Sequence, residues 1–432
     1  MTLHAGTAKV VITPPVGVEL AGYSFGPSLG ILQDLEAQVL LLEDDLEKIV
    51  LITADLLAFG PHLVRAVRKR VAVGFGICAD HILLSASHTH CGPATLPFRQ
   101  WGAVDETYLC YLEDTLVGAV GAARRGLREV RFGYGLGHAE GISHNRRGHT
   151  ELVDTQVGVL RLEDTAGEPV AVFFNFGSHP VTLHSYRGLI SPDFPGYARQ
   201  VIQQVLGKHV LAQFALGPAG DINPAGYIPN TFTPQRSWKY GAVLGCEAAR
   251  LALGAIDLAS PLLRVRSVMV PLPVEPLPTS EQLQQMHRQF SQQAARLRAD
   301  EATWEAIARV EIQRDWAADA LQTRERGEPV QHLDCEVMAV RFGDAVLLAA
   351  PLELFTATGL AIKAASPARA TLICSNANGA LGYLPTLDAY LEDDYTNPQG
   401  VAHKVYGLYA FSSDAEPLFR EQAIRLLRDI FA

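Results

Sequence analysis

Short apolar runs rich in leucine and β-branched residues alternate along this chain with polar turns and with segments whose apolar positions recur at helical spacing. From Gln38, QVLLLEDDLEKIVLITAD reads as a strand, an acidic turn and a second strand. A helical pattern follows over about residues 60–72, and HILLSAS then reads as a third strand. The same order returns at 156–223. There VGVLRLEDTAGEPVAVFFNFGSHP gives strand, turn and strand, FPGYARQVIQQVLG a helix with Pro195 near its start and Gly207 at its end, and KHVLAQFALGPAGDINP a strand entering a Gly-rich turn. It returns once more at 335–385, with CEVMAVRFGDAVLLAAPLELF as hairpin, LFTATGLAIKAA as helix and ATLICSNANGALGYLP as strand and turn. Such self-similarity predicts an α/β fold, with mixed sheets and flanking helices built from about three strand-strand-helix-strand units. TAKVVIT reads as a further strand, stopped by Pro14 and Pro15. Residues 104–127 and 238–256 read as amphipathic helices connecting the units, 279–327 as one or two long helices leaving the core, and about 415–431 as a closing helix. No low-complexity linker divides the chain, so 1–432 is expected to form a single domain with a helical excursion at about 279–327.

The polar residues at the strand ends give this pattern a chemical meaning. The second strand of each unit ends in Asp55, His179 or Glu353, and the last strand ends in His88 and His90, Asp221 and Asn223, or Asn376 and Tyr383. In α/β folds ligands bind outside the carboxyl ends of strands, so these ends are expected to converge on one crevice. The stretch Ser85-Ala-Ser-His-Thr-His-Cys-Gly-Pro93 delivers two imidazoles to the mouth of a strand. Our reading sends them to opposite sides, one as a metal ligand and the other working beside it; a hydrogen-bonded structural pair is the alternative. His179 and Glu353 would complete an N/O ligand set that suits zinc. A helix-terminal role for Glu353 and a backbone-capped role for His179 stay open from the residues alone. Asp55 is a candidate supporting carboxylate. Gly220 permits close backbone approach to a ligand, and Asp221 and Asn223 in the same turn either contact substrate or bond their own backbone. An arginine beside such a site, as in Asn145-Arg146-Arg147, would grip a carboxylate, and Tyr383 and Tyr395 are the phenols near the third unit's turn.

Bulk properties narrow the choices. A formal charge of −10 argues against a nucleic-acid surface. The N-terminal residues show no signal-peptide pattern and no apolar run reaches the roughly 18 residues a spanning helix needs, so a cytoplasmic protein without stable membrane insertion is expected. Six widely and irregularly spaced cysteines form neither a disulfide framework nor a zinc knuckle.

Taken in order, TAKVVITPP, HTHCGP, HNRR, FGSHPV, GPAGDINP, LELFTATG, GYLPTLDAY and DDY resemble the catalytic domain of the neutral/alkaline (non-lysosomal) ceramidase family, over nearly the whole chain. The resemblance implies a zinc ion held by His88, His179, Glu353 and Tyr383. It implies that His90, Arg146 and Tyr395, the last twelve residues beyond Tyr383, assist substrate binding and transition-state stabilisation. It extends to the catalytic domain only, without the C-terminal immunoglobulin-like domain of the larger members. Where the family turn carries a catalytic Ser, this chain has Asn223.

The function expected is therefore zinc-dependent, ceramidase-like hydrolysis of a linear N-acyl amide by metal-activated water, within sphingolipid or related lipid metabolism. His90 would move protons, Tyr395 would bond the oxyanion, Arg146 would orient an anionic group and Asn223, with Gly220 and Asp221, would hold substrate. An esterase or lactonase on the same zinc site, or a silent zinc-containing binding protein, is the alternative raised by Asn223. A short soluble amide is favoured over ceramide, because nothing membrane-facing is read in the chain.

Overall fold

In the computed structural model, residues 2–22, 26–183, 188–227, 234–258, 262–392, 396 and 400–432 are described. The first unit comprises β1 (His4–Val11), β2 (Glu36–Glu43), β3 (Lys48–Ala54), α1 (Pro61–Phe75), β4 (Ile82–Ala86) and α2 (Glu106–Arg125). The second comprises β5 (Arg128–His138), the short β6 (Ser143–Asn145), β7 (Gln156–Asp164), β8 (Pro169–Phe176), α3 (Phe194–Leu206), β9 (Leu211–Leu216), the short β10 (Ile222–Pro224) and α4 (Pro234–Leu253). The third runs through β11 (Leu263–Pro273), α5 (Ser280–Ala299), α6 (Trp304–Glu325), β12 (His332–Phe342) and β13 (Ala345–Ala349). It continues with β14 (Glu353–Leu354), α7 (Thr356–Ala365), β15 (Ala370–Cys374), β16 (Tyr383–Leu384), α8 (Leu387–Leu391), α9 (Ala402–Tyr406) and α10 (Ala415–Phe431).

The pairings repeat strand for strand. An opening strand lies antiparallel to the second, the second antiparallel to the third, and the third parallel to the last: β1, β2, β3, β4; β5, β7, β8, β9; β11, β12, β13, β15. The unit is thus larger than the four elements legible in the sequence. It opens with an additional strand and closes with a second helix, so α2 and α4 belong to the units instead of linking them. A short antiparallel joint, His4 against Glu129 and Ala5 against Arg128, merges the first two sheets into one.

The third and last strands of each unit are buried on both faces, as a sheet sandwiched between layers must be. Leu51, Leu83, Phe173, Leu347 and Leu372 point into one core shared by all three units. Their neighbours Ile52, Leu84, Phe174, Leu348 and Ile373 point outward, under α1 and α2, α3 and α4, or α7 and α10 respectively. The period-two alternation therefore sorts residues between a common centre and three helical coats. α1 starts with Pro61 and stops at Gly76, whose φ of 68° suits glycine. α5 opens with a capping box between Thr279 and Gln282.

The ends of the sheets differ in kind. Tight connections, 44–47, 165–168 and 343–344, lie at one end. At the other, where the parallel pairs finish, each opening strand sends out an insertion: 12–35, 139–155 and 274–331, the last holding α5 and α6. Among the described residues no helix is long and apolar enough to cross a membrane.

A buried ion pair ties the first two units together at that end. Asp55, at the tip of β3, accepts from both terminal nitrogens of Arg199 on α3, one at 2.8 Å, and from the Glu36 backbone N–H at 2.9 Å. Asp55 therefore serves the joint between units and not the histidines. Replacing Asp55 by Ala leaves the buried Arg199 guanidinium with only the Glu36 carboxylate at 3.6 Å, and should cost about 3–5 kcal/mol in urea unfolding. A second expectation concerns α9. Burial, then the charges of Lys404 and Arg99, push the His403 imidazole down to about 3. An unfolded histidine titrates near pH 6.5, so the stability due to neutral His403 is complete above that pH and drains away as pH falls towards about 3. A His403→Phe variant should lose less stability than the parent between about pH 7 and pH 4.5, measured by urea unfolding.

Candidate active site

β4 stops at Ala86, and the chain then turns sharply: His88 has φ 67°, a left-handed conformation that histidine adopts more readily than most residues. Its backbone N–H donates to Leu56 at 2.9 Å. The turn brings His88 and His90 together, with ring centroids 5.0 Å apart, which overturns the expectation that they part to opposite sides. Positions two apart share a face even on a regular strand, and here the strand has already ended. His90 packs where Gly22 passes at φ 96°; a Cβ at Gly22 would lie 2.6 Å from the His90 Nδ1.

His179 follows β8 on the second unit, its ring centroid 4.9 Å from that of His88. Ligand nitrogens of His88, His90 and His179 all lie within 4.8 Å of one another, and all three residues are buried. Glu353 opens β14 in the third unit, where it is the parallel register partner of Tyr383. Glycine at 220 lets the second unit's turn press against this strand: a Cβ there would meet the Glu353 carbonyl oxygen at 2.7 Å.

The proton positions are set by the backbone. His88 Nδ1 is 2.7 Å from the Leu57 carbonyl and His179 Nδ1 is 3.0 Å from the Ile222 carbonyl. A carbonyl only accepts, so each Nδ1 carries a proton and each ring turns its Nε2 toward the site. Both face one carboxylate oxygen: Glu353 Oε2 lies 3.1 Å from His179 Nε2 and 3.4 Å from His88 Nε2. Burial lowers the His179 pKa to about 4 despite the raising influence of Glu353, which keeps the ring neutral near pH 7. Burial works to raise Glu353, but His88 and His179 outweigh it and hold the carboxyl well below its usual range. The two imidazoles and the carboxylate oxygen are thus within hydrogen-bonding or ion-pairing distance, a spacing that a shared cation would also satisfy. Two imidazole nitrogens, a third within reach on His90 and a carboxylate form a donor set that fits zinc, and the two carbonyls are the outer partners that orient ligating histidines.

The other expected residues surround this centre. Arg146 donates to the Gly220 carbonyl, its guanidinium carbon lies 5.5 Å from the Tyr383 ring centroid, and its charge acts on His179. Asp221 has a structural place: its carboxylate accepts from the Thr356 N–H at 2.8 Å, the Thr356 hydroxyl at 2.9 Å and Asn145 Nδ2 at 2.9 Å. Asn223 sits on β10 opposite His144, and its buried Oδ1 has no hydrogen-bond partner among the described residues. Arg147 is held by Asp388 and Glu392 at 2.8 and 2.6 Å. Tyr395 lies outside the described residues. Two features had no sequence signal: the Leu57 and Ile222 carbonyls, which carry no side-chain signature, and Tyr406, whose hydroxyl donates to Glu353 Oε1.

Comparison with known proteins addresses both halves of this arrangement. The family described as "Neutral/alkaline non-lysosomal ceramidase, N-terminal" matches residues 4–231, which include His88, His90, Arg146, His179 and Asn223. Neutral ceramidase of Pseudomonas aeruginosa is 27% identical over 165 residues, 34% of this chain and 24% of that protein. Neutral ceramidase A of Dictyostelium discoideum is 29% identical over 182 residues, 36% of this chain and 25% of that protein. The matched stretch thus spans about a quarter of the length of these curated relatives. The crystal structure of the Pseudomonas aeruginosa neutral ceramidase superimposes with a TM-score of 0.77 at 20% identity, over 99% of this chain and 74% of that one. At that identity the likeness speaks to fold, and it carries the shared fold through the third unit, where Glu353 and Tyr383 lie. With its family matched over more than half of the sequence, the chain belongs to the neutral/alkaline non-lysosomal ceramidases.

Proposed function

We propose that this protein is a zinc-dependent hydrolase of a linear N-acyl amide. The observation that carries the reading is the Glu353 oxygen set between two Nε2 atoms whose rings have already placed their protons on Nδ1. Family membership supports the amide as the bond cleaved. His88, His179 and Glu353 would hold the ion, with Tyr383, the register partner of Glu353, beside them. Zinc bound there supplies an acidified water and polarises the acyl carbonyl.

The chain's own groups account for the rest. His90 stands in the same buried group and moves a proton through an imidazole nitrogen, from the attacking water towards the leaving amine. Arg146, braced by the Gly220 carbonyl and lying over Tyr383, orients a polar or anionic group of the substrate. The unpartnered Oδ1 of Asn223 accepts from an N–H or O–H of the substrate, in the turn where the family resemblance places a serine. Tyr395 would donate to the developing oxyanion. A hydroxyl nucleophile is not needed once water is acidified, so Asn223 is compatible with turnover.

Metal analysis of protein as purified should find zinc, and His88→Ala or His179→Ala should lose both the ion and hydrolysis, by more than the roughly 100-fold that removing a supporting residue costs. Metal-free protein with full activity would overturn the reading. Paired N-acyl amides and esters of graded chain length separate amidase from esterase, and turnover of neither would favour a silent binding protein. Asn223→Ala should keep its metal and lower kcat/KM by roughly 3- to 10-fold, the worth of one hydrogen bond.

A further inference from the structure

Glu353 presents its two carboxylate oxygens to different partners. Oε2 faces the histidine nitrogens, whereas Oε1 accepts a hydrogen bond from the Tyr406 hydroxyl. The last torsion of a glutamate side chain is broad and roughly two-fold, so nothing in the residue itself decides which oxygen faces the metal centre or whether both do. A phenol on one oxygen decides it.

The phenol is itself held from several sides. Tyr406 ends α9, and its ring stands edge-on to Phe98, with centroids 5.3 Å apart, and to Tyr383 at 6.2 Å. Arg99, next to Phe98, caps this short helix by donating to the Lys404 carbonyl at 2.6 Å and the Gly407 carbonyl at 2.7 Å. The same guanidinium reaches Asp319 on α6 at 2.7 Å. From α6 also, Trp316 donates to the Leu408 carbonyl at 2.9 Å, and the Lys404 ammonium lies 5.2 Å from its ring centroid. The helical excursion of the third unit and the chain that follows the His88 turn thus share one task, fixing α9.

From this geometry we infer that Tyr406 is a positioning residue of the metal centre, restricting Glu353 to a single oxygen toward His88 and His179; the inference rests on the zinc-hydrolase reading above. Charge-assisted O–H···O⁻ bonds are about twice as strong as neutral ones, enough to hold a carboxylate in one orientation.

The test compares Tyr406→Phe, which keeps the ring and removes the hydroxyl, with Tyr406→Leu, which removes both. Zinc affinity is read by chelator competition, folding by urea unfolding, and turnover with an N-acyl amide. For Tyr406→Phe we expect a urea midpoint close to the parent's, zinc binding weakened roughly 10- to 100-fold, and a fall in kcat with little change in KM. In a Glu353→Gln background the same change should weaken zinc no further. Parental affinity and kcat in Tyr406→Phe, with loss only in Tyr406→Leu, would show a packing role and overturn the inference, as would an undiminished effect in the Glu353→Gln background. If the parent protein takes up no zinc, the hydrolase reading falls and this inference with it, an outcome read before any variant is made.

Discussion

A single buried carboxylate oxygen faces two imidazole nitrogens whose protons are already committed to backbone carbonyls, and the rest of the molecule serves that juxtaposition. The histidines hold the buried carboxylate in its charged form against the cost of its desolvation. The arrangement persists because the groups come from three repeated units, each anchored in a core of its own and in a common one. No one segment can relax without disturbing a sheet. The site is therefore a preorganised cluster of nitrogen and oxygen donors, held in place by packing elsewhere in the fold.

The repeated unit explains how such a site arises from an ordinary chain. A parallel pair ends with two carboxyl termini side by side, and three such pairs bring six strand ends to one region. Hydrogen bonds run directly between them: Ser375 N–H to the Leu216 carbonyl at 2.8 Å, and Gly220 N–H to the Leu354 carbonyl at 2.8 Å. The Asp55–Arg199 pair and the Asp221–Thr356 bonds lock neighbouring units at the same level. Some of the polar groups gathered here satisfy one another, as Asp221 and Thr356 do, whereas others, Asn223 Oδ1 among them, have no hydrogen-bond partner among the described residues.

Much of this was legible in the sequence, and the failures have identifiable causes. The repeated hairpin, helix and strand could be read because their apolar residues are continuous. Of the opening strands only the first, TAKVVIT, could. β5 carries glycines at 133, 135 and 137, a loop-like composition, yet a Cβ at Gly135 would lie 2.9 Å from the Leu251 carbonyl oxygen, so the glycines admit α4 against the strand. β11 contains Pro271 and Pro273, which an edge strand tolerates because its outer N–H groups need no partner. At the site, His88, His179 and Glu353 were visible as strand-end polar residues, whereas the direction of His88 was not, because it depends on a positive φ that no neighbouring residue announces. The structural duty of Asp221 and the hydroxyl of Tyr406 arise only from contacts across more than fifty residues of sequence.

The placement of the three insertions has a wider bearing. All leave from opening strands at the site end, and the opposite end is closed by turns of two to four residues. Fold maintenance and substrate choice are thereby assigned to opposite poles. Lengthening, shortening or rewriting the segment at 12–35, 139–155 or 274–331 changes what surrounds the candidate site without passing through a destabilised sheet. A scaffold arranged in this way can diversify its chemistry by drift at one pole alone, and relatives that share its sheets need not share a substrate.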